Sequence, residues 1–180
     1  MKPDLAVCLY GISNTNEHVI KQYCADNLSY LYNINYFNHY EDNDIYNNLW
    51  KVSFKKRQTE LINKKDFDVC LAIDTSDDTA DLFLNHKILL NIHYYNKDKI
   101  YFAKGDFFSL KGSTGASPQI FFSNSVTFDL ACNFGLKLHT LPKDRKLGTI
   151  GEDFYYFLKT LKIKTECINY ENSDLFKRTT

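Results

Sequence analysis

The chain has no pair of cysteines at metal-binding or redox spacing. Its five, Cys8, Cys24, Cys70, Cys132 and Cys167, stand far apart and are odd in number. Zinc-ribbon and thioredoxin-type chemistry are thereby excluded. Three of them lie inside apolar runs, where a reduced cysteine behaves as a small hydrophobe. The five histidines form no H-E-x-x-H or other close ligand pair. There is no excess of charge of either sign, since 22 Lys and Arg balance 22 Asp and Glu. No global field would draw this chain to nucleic acid or to an anionic membrane. No apolar run reaches membrane-spanning length, and the run in the opening MKPDLAVCLYG is too short for a signal-peptide core. These features lead us to expect a soluble, cytoplasmic protein with no nucleic-acid partner and no membrane span.

What is present is an ordinary globular composition, 44% hydrophobic and 24% charged, over 180 residues. That length suits one domain and can bury roughly 70% of the unfolded surface. Aromatics are the exception at 16%, with 13 Tyr and 14 Phe beside a single Trp. Together with the many Asn and Lys, this bias fits an AT-rich coding sequence.

The first half alternates two patterns. Residues 5–10 form a continuous apolar strand, 11–15 a turn rich in helix-capping residues, and a helix follows with Val19, Ile20, Tyr23, Cys24, Leu28 and Leu31 at helical spacing. A short strand is expected at 35–38, an acidic loop at 40–44, and a longer helix over 45–63. That helix has Ile45, Leu49, Val52 and Leu61 on one face and Lys55, Lys56 and Arg57 on a solvated one. The third strand spans 67–73. This β-α-β-α-β order predicts a parallel sheet whose three loops, 11–15, 40–44 and 74–78, gather at the carboxyl edge, where open α/β sheets bind ligands.

The second half is less regular. A short helix is expected at 79–85, strands at 87–93, 100–103 and 119–123, and a loop rich in Gly and Ser at 105–118. A helix over 126–134 would end at Gly135 as a left-handed cap. A polar connection (136–148), an aromatic helix (152–161), a strand (165–168) and a frayed tail follow. The segment KGSTGAS, Lys111 to Ser117, is not a phosphate loop, because its Lys precedes the Gly. No repeat and no linker is visible, so one domain over 1–180 is expected. Its halves would be 1–78, which carries the three loops of the ligand edge, and 79–170.

Several carboxylates are candidates for chemistry. The stretch FDVCLAIDTSDD, Phe67 to Asp78, is an apolar run ending in Asp74, Asp77 and Asp78. Carboxylates at a strand end can hold Mg²⁺ or Mn²⁺ against a diphosphate. Equally, Thr75 or Ser76 can cap the next helix, with the aspartates favoured at its positive end. Asp42-Asn43-Asp44 opens a helix as a solvated cap, or hydrogen-bonds a ribose or base edge. Glu152 and Asp153 open the aromatic helix, as part of a capping box with Thr149 or as a general base toward an acceptor hydroxyl.

Taken in order, LAVCLYGISNT, NINYFNHYED, FDVCLAIDTSDD, SPQIFFSNSVTFDLACNFG and GEDFYYFLKTLKIKTECIN resemble the small bacterial and viral glycosyltransferase-like proteins with a GT-A-type nucleotide-sugar fold. The resemblance implies a single three-layer α/β domain with a mostly parallel central sheet. It implies a nucleoside-diphosphate sugar as donor, lying near Tyr10, Gly11, Asn14 and Asp42. Asp74 with Asp77 or Asp78 would then hold Mg²⁺ or Mn²⁺, and Glu152 or Asp153 would act on the acceptor. Asn14 stands where the family often carries a basic residue, and the acidic motif lacks the Arg-Pro-Asp form. The alternative is a catalytically inactive relative that binds a partner through aromatics such as Phe107, Phe108, Tyr155 and Tyr156.

Overall fold

The computed structural model describes residues 1–77, 79–80, 96, 98–103, 119–137 and 150–168. The strand expected at 87–93, the loop at 105–118, most of the short helix at 79–85, Asp78, Phe107, Phe108 and the tail lie outside the described residues.

The first half follows the expected order. Strand β1 (Asp4–Tyr10) leads to helix α1 (Glu17–Leu28), β2 (Asn33–His39), α2 (Ile45–Asn63) and β3 (Val69–Asp74). Strands β4 (Ile100–Ala103) and β5 (Ile120–Ser123) are followed by α3 (Ser125–Cys132), the short α4 (Phe134–Lys137), α5 (Ile150–Thr160) and β6 (Thr165–Ile168). Among the described residues, six strands form one sheet in the order β2-β1-β3-β5-β4-β6. The pairs β1/β2, β1/β3 and β4/β6 are parallel, and β5 alone is reversed against both neighbours.

The central strands β1, β3 and β5 are buried almost throughout, without alternation, because both faces of the sheet are covered there. Leu5, Val7 and Leu9 of β1 join Val69, Leu71 and Ile73 of β3 on one face, against Ile20, Cys24 and Leu28 of α1. Ala6, Cys8, Cys70 and Ala72 point the other way, with Phe102 and Phe121, against α2, α3, α4 and α5. There the rings of Phe121, Phe128, Phe134 and Phe154 pack with centroids 5.0–5.7 Å apart. Each ring removed from water contributes about 2–3 kcal/mol.

Two expectations about helices fail, and each failure has a physical cause. Lys56 does not lie on a solvated face: it is fully buried. Its Nζ donates to Glu60 Oε2 at 2.7 Å and to Ser125 Oγ at 2.6 Å, and lies 3.2 Å from the Asp129 carboxylate. Leu61, assigned to the apolar face, is 78% exposed. Along α2 the stripe that meets the core runs Ile45, Leu49, Val52, Lys56, Glu60 at spacings of three and four. The cation and its acid occupy the positions where the apolar pattern continues.

Gly135 is the second case. It does not end a helix as a left-handed cap, because it lies inside α4 and has no positive φ. A Cβ there would come within 2.1 Å of the Tyr46 carbonyl oxygen. The glycine is required by the close approach of α4 to the start of α2.

Candidate functional site

The three loops at the carboxyl edge are neighbours, as the strand order implies, and hydrogen bonds join them. Thr75 N–H donates to Tyr10 O at 2.9 Å, extending the β1/β3 pairing by one residue. The Thr75 hydroxyl donates to Ser13 O at 2.5 Å and lies 3.2 Å from Tyr10 O. Asn16 Nδ2 donates to Thr75 O at 2.9 Å and to Asp77 Oδ1 at 2.8 Å.

Gly11 lies where the first loop crosses the third. Its φ is +147°, a conformation that favours glycine. A Cβ at this position would lie 2.8 Å from Thr75 Oγ1 and 2.9 Å from Asp74 Oδ1. Only a glycine lets the loop descend onto the Asp74 carboxylate.

Asp74 is the last residue of β3 and is 5% exposed. Its carboxylate accepts from Ser76 N–H at 3.2 Å and from the Ser76 hydroxyl at 3.1 Å. Burial pushes its pKa up, and these hydrogen bonds only partly oppose that. Among the described residues no lysine or arginine forms an ion pair with it.

A second group converges on the same place from α2 and α5. Asp44 caps α2 by accepting from Tyr46 N–H at 2.9 Å and Asn47 N–H at 3.4 Å. The Tyr46 ring stands edge-on to Phe134, centroids 5.4 Å apart, and Phe134 packs on Phe154 of α5. Burial raises the Tyr46 phenol pKa, and Asp74, Asp44 and Asp153 raise it further. Burial and then Asp74 and Tyr46 act likewise on Tyr10. Both phenols thus feel the Asp74 carboxylate, and Tyr46 feels Asp44 and Asp153 as well.

The remaining sequence candidates separate from that group. Asp42 accepts from Lys51 Nζ at 2.7 Å and lies 3.3 Å from His39 Nε2, and the Lys51 bond holds its carboxyl below the usual range. Asn14 is exposed, and its carbonyl accepts from Glu17 N–H. Asp77 is exposed and bonded to Asn16, while Ser76 O accepts from Ala80 N–H as the next helical turn begins. Glu152 is half-buried beside Asp153.

The fit of a divalent cation depends on these carboxylates. Among the described residues no three His, Cys, Asp or Glu side chains form a metal cage. Mg²⁺ commonly needs only one or two carboxylates when phosphates and water complete its shell. Asp74, at the sheet edge and free of any cation among the described residues, suits that role.

Tyr46 and Asn48 were not among the sequence candidates, and Thr75 was one only as a helix cap. Asn48 alone carried a signal, being a polar residue beside Ile45, Leu49 and Val52 on an apolar stripe. Tyr46 and Thr75 are ordinary loop-end residues whose roles arise from what the fold brings to them.

No family model matches this chain, and no curated protein matches it. A solved structure with some likeness is the crystal structure of a glycosyltransferase involved in the glycosylation of the major capsid of PBCV-1. The two superpose with a TM-score of 0.49 and 10% sequence identity, covering 93% of this chain and 82% of that one. A superposition that loose does not by itself assign a fold family. Among the described residues, no helix is long and apolar enough to cross a membrane.

Proposed function

We propose that this chain is a glycosyltransferase-like protein with a three-layer GT-A-type domain, moving a sugar from a nucleoside-diphosphate donor to an acceptor hydroxyl. The observation that carries this reading is the descent of Gly11 onto Asp74 at the carboxyl edge of the parallel strands. A buried carboxylate without a cation among the described residues costs stability, and such groups concentrate at functional sites.

In this reading the donor lies across the first two loops, over Tyr10, Gly11, Asn14 and the Asp42–Lys51 pair. A divalent cation, Mg²⁺ or Mn²⁺, held by Asp74 with Asp77 or Asp78, would neutralise the diphosphate leaving group. The acceptor oxygen bonds to the anomeric carbon as the bond to the diphosphate breaks, and its proton passes to a carboxylate of α5. Asp153, buried in the first turn of α5, and the half-buried Glu152 are the two candidates for that role. The one that does not take the proton orients the acceptor from the adjacent position.

Calorimetric titration with UDP, GDP and CDP, each with and without Mn²⁺, tests the reading. One nucleotide should bind in a metal-dependent way, and Asp74→Ala should lose that binding while unfolding at close to the parent temperature. Absence of binding at millimolar nucleotide would overturn the transferase reading in favour of a non-catalytic relative.

A further inference from the structure

Asn48 lies in the first turn of α2 and is fully buried. A side-chain amide carries two N–H donors and a carbonyl acceptor, and burying it is unfavourable unless they are matched. Here they are matched to two different loops. Nδ2 donates to Gly11 O at 2.8 Å and to Asp42 O at 2.7 Å, while Oδ1 accepts from Asp42 N–H at 3.0 Å. A leucine would fill the same space and make none of these bonds. Gly11 is also the residue that passes over Asp74 Oδ1, so the height of the first loop above that carboxylate is tied to the second loop through one side chain.

We infer that Asn48 is a positioning residue that joins the turn after β1 to the turn after β2, so that a nucleoside diphosphate meets them as one preformed surface. The ligand in that statement rests on the function proposed above; the joining of the loops does not. A preformed surface spares the ligand the ordering of two separate loops, which is where affinity is otherwise lost.

Amide hydrogen exchange on the unsubstituted protein is the first test. The Asn48 side-chain amide and the Asp42 backbone amide should both be protected, because they share one set of bonds. Asn48→Asp and Asn48→Leu then separate positioning from space-filling. An ionised aspartate would face the Gly11 and Asp42 carbonyls without a donor, whereas a protonated one donates to one of them. Nucleotide affinity of Asn48→Asp in Mn²⁺, relative to the parent at the same pH, should be about tenfold or more weaker near pH 8. It should partly recover toward about pH 5, because burial raises the pKa of the new carboxyl. Asn48→Leu should be weakened equally at both pH values.

An Asp42 amide that exchanges at the unprotected rate overturns the inference, even if neither variant folds. So does an Asn48→Asp protein that matches the parent at every pH. A parent that binds no nucleotide defeats the proposed function, and exchange at Asp42 still judges the clamp.

Discussion

Two of the described regions of this molecule bury charge, and they treat it differently. Beneath α2 and α3, Lys56 is enclosed by Glu60, Asp129 and Ser125, and Ser125 in turn donates to Glu60 Oε1 at 2.5 Å. Ser53 donates to Asp129 Oδ1 at 2.7 Å, and Phe67 N–H to Glu60 Oε1 at 2.9 Å. At the sheet edge, Asp74 is buried with hydrogen-bond donors from Ser76 and no ion-pair partner among the described residues. The first region is satisfied and closed, so it fixes how α2 sits on α3. The second has no compensating charge among the described residues, which is what the proposed function asks of it.

The lysine region should give the largest effect when broken. Lys56→Met removes the cation and strands the buried Glu60 and the half-buried Asp129, which should cost about 3–5 kcal/mol in urea unfolding. Adding Glu60→Gln and Asp129→Asn should restore much of that loss, since a fully neutral cluster no longer buries unpaired charge. Burial alone would push the Lys56 pKa down, but Cys70, Asp129 and Glu60 outweigh it and hold the ammonium above its ordinary value. The stability from this group is therefore fully present below the ordinary lysine pKa and is lost as pH rises through the higher folded value. The parent should weaken in that alkaline window, and Lys56→Met should lack this component. An equal alkaline loss in both would remove Lys56 from the comparison.

The sheet edge should respond in the opposite direction. Asp74 has a raised folded pKa, so its contribution is present below the ordinary carboxylate range and is lost as pH rises through the raised value. Asp74→Asn should therefore be more stable than the parent at neutral pH, by about 0.5–2 kcal/mol, a gain typical of relieving a functional-site cost. Thermal unfolding should show that gain shrinking on acidification. A destabilised Asp74→Asn at neutral pH would mean that the carboxylate has a structural partner, and the contrast between the regions would collapse.

The smallest effect is expected on the outer face of α2. Leu61→Lys should change stability by no more than about 0.5 kcal/mol, because Leu61 is 78% exposed. A larger loss in urea unfolding would mean that the residue is covered in solution.

The order of strands and helices along the first half, and with it the gathering of the three loops, was legible in the sequence because period and turn chemistry are local; the order of strands across the sheet and the reversal of β5 were not. Residues 45–63 read as a helix from their apolar spacing, and α2 occupies the same span. Lys56 was not legible as an interior group, since three consecutive basic residues look solvated when each is judged by type alone. Its register was visible, four residues beyond Val52 and four before Glu60. The error came from weighting residue type above position on the helix.

What the sequence determined by itself is the parallel β-α-β-α-β frame and the carboxylates at its edge, because local pattern and crossover handedness leave few alternatives. Only the tertiary structure decided which of those carboxylates meet. Asp42 went to Lys51, Asp77 to Asn16, and Asp74 to Ser76 beneath Gly11. It also decided that Gly11 and Gly135 are needed for close backbone approach, and that Asn48 ties two loops together. Those choices depend on contacts between residues distant in the chain, and no local pattern encodes the distance between them.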